Sequence, residues 1–105
     1  MNYKLSYFSF AIMLFILFYG CGSSLKVPTI VDAKSSGISI DTLLKGRELY
    51  INNCGACHNL YLPNKHTDRE WEETMKSMQK KAKITDSQAS IILKYLSTYS
   101  NKIKK

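Results

Sequence analysis

The chain has 105 residues and a formal net charge of +7 at pH 7, so it has room for one small domain. The positive charge favours anionic partners or anionic membrane surfaces, with a merely solvated basic surface as the alternative. Because no aromatic platform or patterned recognition helix accompanies this charge, we expect no binding to nucleic acid.

The first 20 residues are typical of an export signal. Lys4 precedes a nearly continuous apolar run over residues 5–19, which is shorter than the roughly 20 residues of a membrane-spanning helix. We therefore predict a signal peptide over 1–20 and an exported protein. An uncleaved, tilted anchor is the alternative.

Gly20 and Cys21 end this run and resemble a bacterial lipobox, in which the cysteine is lipidated and becomes the first residue. The pattern predicts a lipoprotein signal, lipidation of Cys21 and membrane anchoring on the periplasmic or outer side. Ordinary signal cleavage would instead leave Cys21 as an odd thiol.

Residues 21–40 show no sustained periodicity and contain several turn formers, so they are predicted to form a flexible tether. The folded domain is then expected over 41–105. An apolar core is marginal at that size, and a cofactor commonly adds the missing stability.

The first helix of this domain is predicted to begin at a Thr42 cap and to end near residue 53. Gly46 lies inside it, where glycine costs about 1 kcal/mol relative to alanine. A close contact with another helix would offset that cost.

The sequence Cys54-Gly55-Ala56-Cys57-His58 follows directly. Two cysteines at this spacing can form thioethers with one porphyrin, and His58 can then be the proximal iron ligand. The motif therefore predicts one covalently bound haem c. A zinc site completed by His58 or His66, and a thioredoxin-like redox pair, are the less favoured alternatives because their usual sequence context is missing.

A second helix is predicted over about 68–81, since Thr67 and Glu70 have the spacing of a capping box. A last helix is predicted over about 86–99, and no strand pattern competes with the helices. The second helix ends in a basic cluster that is either a docking rim for an acidic redox partner or a solvated helix end. This cluster consists of Lys80, Lys81 and Lys83.

Two methionines outside the signal are candidates for the sixth iron position. Met75 and Met78 lie three residues apart on the second helix, so both can face the same side while one of them packs in the core. His66 is a further candidate, with a solvated loop histidine as its alternative.

Over about 44–97 the chain resembles the small class I bacterial cytochromes c, which carry one haem. The resemblance implies an all-α bundle of three to four helices around one covalently attached haem. It also implies that Gly46 and Tyr50 cross Ile92 and Tyr95. The residues that carry it are Gly46-Arg47-Glu48-Leu49-Tyr50, Cys54-Gly55-Ala56-Cys57-His58, Pro63, Trp71, Met78, Ala82, Ile92 and Tyr95-Leu96.

The same resemblance implies roles for residues around the haem. The W-x6-M segment selects Met78 as the distal ligand, with Met75 as the fallback. The carbonyl of Pro63 would accept the proton on the far nitrogen of His58, unless Pro63 is a simple loop proline. Trp71 would pack on the haem edge or donate to a propionate, with core burial as the alternative.

The implied function is that of a membrane-tethered one-electron carrier, not an enzyme, in an exported respiratory or redox chain with redox protein partners. One alternative is a haem-based ligand sensor or peroxidase-like protein with an open sixth iron position. Another is a haem subunit of a membrane oxidoreductase complex.

Overall fold

The computed structural model describes Tyr7 and residues 25–55 and 59–102, and within these residues the protein contains helices and no strand. The predicted all-α bundle is therefore confirmed. The predicted signal peptide, apart from Tyr7, and Cys21 lie outside the described residues. The elements are α1 (Ile30–Ser36), α2 (Ile40–Cys54), a 3-10 turn (Pro63–Lys65), α3 (Asp68–Ala82) and α4 (Asp86–Tyr99).

Side-chain caps set where the helices begin. α2 begins earlier than predicted, because the hydroxyl of Ser39 rather than Thr42 is the cap and accepts a hydrogen bond from the Thr42 N–H at 3.2 Å. The predicted capping box of Thr67 and Glu70 is confirmed at the start of α3. α4 has the predicted bounds.

The core forms where α2 crosses α4, and Gly46 permits the close approach. A Cβ atom on Gly46 would lie 2.6 Å from the carbonyl oxygen of Ile91 and 2.7 Å from Cβ of Tyr95. Ile92 and Tyr95 are fully buried at this contact, and the Tyr50 ring lies 6.4 Å from the Tyr95 ring. The expected crossing of the two helices is confirmed, and it offsets the helix cost of glycine.

The structure differs from the predicted flexible tether over residues 25–40. The hydroxyl of Tyr95 donates to the carbonyl oxygen of Lys26, and that of Tyr99 donates to Oδ2 of Asp32, both at 2.8 Å. α1 therefore lies against the end of α4. Because these bonds join residues that are far apart in sequence, no local periodicity predicts them.

Among the described residues, no helix has the length and apolar character needed to cross a membrane.

Candidate functional site

An apolar cavity of about 290 Å³ opens between α2, α3, α4 and the loop that follows α2. Its walls are mostly aromatic rings and sulfur-containing side chains, with few polar groups. This composition suits a large apolar ligand that is fixed by a small number of specific contacts. The lining residues are Tyr50, Cys54, Tyr61, His66, Trp71, Thr74, Met75, Met78 and Leu96.

Cys54 is the last residue of α2, and its partly buried side chain lines the cavity. α2 is anchored by its buried face against α4, so the first cysteine of the predicted attachment motif is carried on a fixed element. Cys57 and His58 lie outside the described residues, and their roles as second thioether and proximal ligand stay predictions.

Both candidate methionines face the cavity from α3. Met75 is 6% exposed and belongs to the core, whereas Met78, nearly one turn later, is partly exposed. This difference suits the predicted division of roles, in which one methionine packs and the other is a ligand. The assignment of Met78 stays a prediction, with Met75 as the fallback.

His66 also lines the cavity, after the 3-10 turn. Its ring meets the rings of Trp71 and Tyr61 edge to face, with centroids 4.8 and 5.7 Å apart. Its Nδ1 atom is 3.7 Å from Oε2 of Glu70, the residue that closes the capping box of α3. The structure thus brings the third candidate ligand to the same cavity as the two methionines.

Trp71 and Pro63 are both buried, and the indole Nε1–H donates to the Pro63 carbonyl oxygen at 2.8 Å. The indole therefore has a partner within the protein. A carbonyl oxygen has two lone pairs, so Pro63 can still accept a second hydrogen bond. The predicted contacts of Pro63 with His58 and of Trp71 with haem stay predictions.

A second aromatic donor holds the same loop. The hydroxyl of Tyr50 donates to the carbonyl oxygen of Tyr61 at 2.7 Å, and burial raises the pKa of Tyr50 above its ordinary value of 10.0. Tyr50 also meets Trp71 edge to face, with centroids 6.0 Å apart. Tyr50 was expected only in the helix contact, and sequence reasoning missed Tyr61, which lies in a loop without a periodic pattern.

The donor set fits a haem better than a hard metal ion. Thioether and imidazole groups are soft or borderline ligands that suit haem iron, and the aromatic walls suit a flat macrocycle. In residues 25–55 and 59–102, no group of three or more His, Cys, Asp or Glu side chains is arranged to hold a metal ion.

Residues 50–105, more than half of the chain, match a family model described as dihaem cytochrome c. Neither the curated proteins nor the solved structures gave a match. The matched stretch contains the cysteine–histidine motif and all three candidate distal ligands. The class I resemblance predicts one haem, whereas the matched family is described as having two, and the printed sequence contains one Cys-x-x-Cys-His motif, residues 54–58.

Proposed function

Because the chain belongs to the dihaem cytochrome c family, we propose that it is a membrane-tethered carrier of single electrons in an exported respiratory or redox chain. The apolar cavity supports this proposal, because Cys54 and both candidate methionines line it together. If His58 and Met78 both bound the iron, the site would suit electron transfer, which breaks no substrate bond.

We propose one covalently bound haem c for this chain. The single attachment motif supports this number, although the family description names two haems. The sequence has no second Cys-x-x-Cys pair for another haem, because the remaining cysteine, Cys21, stands alone.

A haem bound here would supply a one-electron redox centre. In this proposal Cys54 and Cys57 would hold the ring through thioethers, and His58 and Met78 would be the two iron ligands. A methionine ligand would favour the reduced state and so raise the reduction potential. The apolar wall, which includes Leu96 and Trp71, would limit the access of water and act in the same direction.

Export, lipidation of Cys21 and anchoring to a membrane are part of the proposal and rest on the first 21 residues. The partners would be redox proteins, some with acidic docking surfaces. Lys80, Lys81 and Lys83 support this because all three are exposed at the end of α3.

The proposal is tested by expressing the full chain with a bacterial haem-attachment system. We expect haem that survives denaturation, one haem per chain by mass, and a one-electron reductive titration. Cys54→Ser and Cys57→Ser should each remove one thioether, whereas the matched variant Cys21→Ser should keep the haem and lose the attached lipid by mass. Absence of covalent haem would overturn the proposal, and ready binding of carbon monoxide by the reduced wild type would favour the sensor alternative.

A further inference from the structure

α1 exposes its two large apolar residues, Ile30 and Val31, and turns Asp32 toward the bundle. Ile30 and Val31 are 59% and 74% exposed, and Val27 just before the helix is 57% exposed. On the opposite side of the helix, Asp32 accepts the hydrogen bond from Tyr99. A helix that only covered the bundle would turn its apolar residues inward and its polar residues outward. The exposed apolar side of α1 therefore indicates a further contact.

The charges around this apolar side are positive. Lys34 is exposed and lies on the same side of α1 as Ile30 and Val31. Lys26 is exposed next to Val27, and its charge also acts on Asp32. Asp32, the acidic residue of α1, points the other way. An outward surface that combines apolar side chains with lysines is typical of segments that lie on anionic lipid.

The position of this surface along the chain points to the same partner. The apolar run over 5–19 and Cys21 precede Leu25, which packs against the core, and only residues 22–24 lie between. Four residue steps span at most about 14 Å when fully extended. A chain held in a bilayer at Cys21, or through a retained apolar run, must therefore keep Leu25 close to the lipid headgroups.

We infer that Lys26, Val27, Ile30, Val31 and Lys34 form a membrane-contact face that rests on an anionic bilayer. The inference rests on the membrane anchoring in the proposed function and adds the orientation of the domain. Its chemistry is apolar insertion into the headgroup region together with attraction of the lysines to anionic lipid.

Hydrogen bonds to α4 fix the segment that was predicted to be a flexible tether. Tyr95 and Tyr99 hold the segment against α4 through Lys26 and Asp32, and Tyr95 packs on Tyr50 of the cavity wall. The membrane-contact face and the cavity wall are therefore connected through Tyr95. The domain would then meet its partners in a preferred orientation relative to the membrane, and not at the end of a flexible linker.

The test uses the full haem-bearing chain in vesicles of equimolar phosphatidylglycerol and phosphatidylcholine. A membrane-impermeant charged maleimide is allowed to react with Val31→Cys and with the matched control Ser87→Cys. Ser87 is exposed near the other end of α4, about 18 Å along the helix from Tyr99. Each labelling rate is divided by the labelling rate of the same variant denatured in urea, which corrects for the intrinsic reactivity of the thiol. The wild-type chain serves as the control for any labelling at Cys21.

We expect the thiol at position 31 to react at least about fivefold more slowly than the thiol at position 87 in these vesicles, with less protection in pure phosphatidylcholine. Equal rates in protein that sediments with the vesicles would overturn the membrane-contact face and leave the anchoring intact. Failure to sediment with vesicles would overturn the anchoring and, with it, this inference. Protection in detergent together with disulfide-linked pairs of Val31→Cys chains would assign the face to a second copy and also overturn it.

Discussion

The indole nitrogen of Trp71 lies 2.8 Å from the carbonyl oxygen of Pro63 and donates a hydrogen bond to it inside the core. Trp71→Phe keeps an aromatic ring but leaves this buried carbonyl without its donor. We expect a loss of about 1–3 kcal/mol in the free energy of unfolding, because a buried acceptor then stays unpaired. Urea denaturation followed by far-ultraviolet circular dichroism measures it.

The control for this variant is Leu44→Ala, at a position that is 42% exposed. A surface truncation of this kind should stay within about 0.5 kcal/mol of wild type. If the two variants unfold at the same urea concentration, the hydrogen bond between Trp71 and Pro63 does not stabilise the loop.

Gly46→Ala should destabilise the protein although alanine is the better helix former by about 1 kcal/mol. The new Cβ would meet the carbonyl oxygen of Ile91 at 2.6 Å, and a backbone atom cannot move without shifting α4. We expect a net loss of about 1–3 kcal/mol in thermal or urea unfolding. Ser90→Ala, on the exposed side of α4, makes a matched control and should leave stability unchanged or slightly raised. A stabilised Gly46→Ala variant would show that the helices do not cross as described.

Substitution of each methionine should affect a different property, the optical spectrum for Met78 and the stability for Met75. Met78→Ala should abolish the weak long-wavelength band of sulfur-to-iron ligation in the oxidised spectrum and let carbon monoxide bind the reduced protein. Met75→Ala should keep that band and lose about 2–5 kcal/mol of stability, because Met75 is 6% exposed in the core. If Met75→Ala alone loses the band, then Met75 is the iron ligand and Met78 is not.

His66→Ala tests the third candidate for the sixth iron position. Because His66 lines the same cavity, its ring is a possible nitrogen ligand for the sixth position. With Met78 as the ligand, His66→Ala should keep the sulfur band and the wild-type response to carbon monoxide. A wild-type protein without a sulfur band, in which His66→Ala alone opens the iron to carbon monoxide, would make His66 the ligand.

The sequence predicted the features that depend on local patterns. The capping box at Thr67 and Glu70 and the bounds of α4 follow from residues that are neighbours in sequence. The crossing at Gly46 came from the family resemblance, which carries information on distant contacts.

Features that depend on distant pairs or irregular backbone could not be predicted in this way. The bond from Tyr95 to the carbonyl of Lys26 joins residues 69 positions apart, and it changes a predicted tether into a packed segment. Tyr61 lines the cavity from a loop, and its carbonyl oxygen accepts a hydrogen bond from the Tyr50 hydroxyl. Neither relationship has a periodic signature.

The bond between Tyr99 and Asp32 should hold α1 in place over a defined pH range. The Tyr99 hydroxyl, followed by Thr29, lowers the pKa of Asp32 below its ordinary value of 3.8, while burial and then Asp32 raise the pKa of Tyr99 above 10.0. Asp32 therefore contributes stability above about pH 4 that is lost as the pH falls through its lowered pKa, and Tyr99 contributes stability that is lost as the pH rises above about 10.

Tyr99→Phe tests this contact directly. At pH 7 we expect amide hydrogen exchange within α1 to be about fivefold faster than in wild type, the equivalent of one hydrogen bond. After correction for intrinsic exchange rates, the difference should shrink below pH 4, where protonation of Asp32 weakens the bond in wild type as well. Thr98→Ala is the matched control, because its hydroxyl bonds to Lys94 within α4 and not to α1. A difference that does not shrink as the pH falls through the lowered pKa of Asp32 would mean that its ionised carboxylate is not what holds α1.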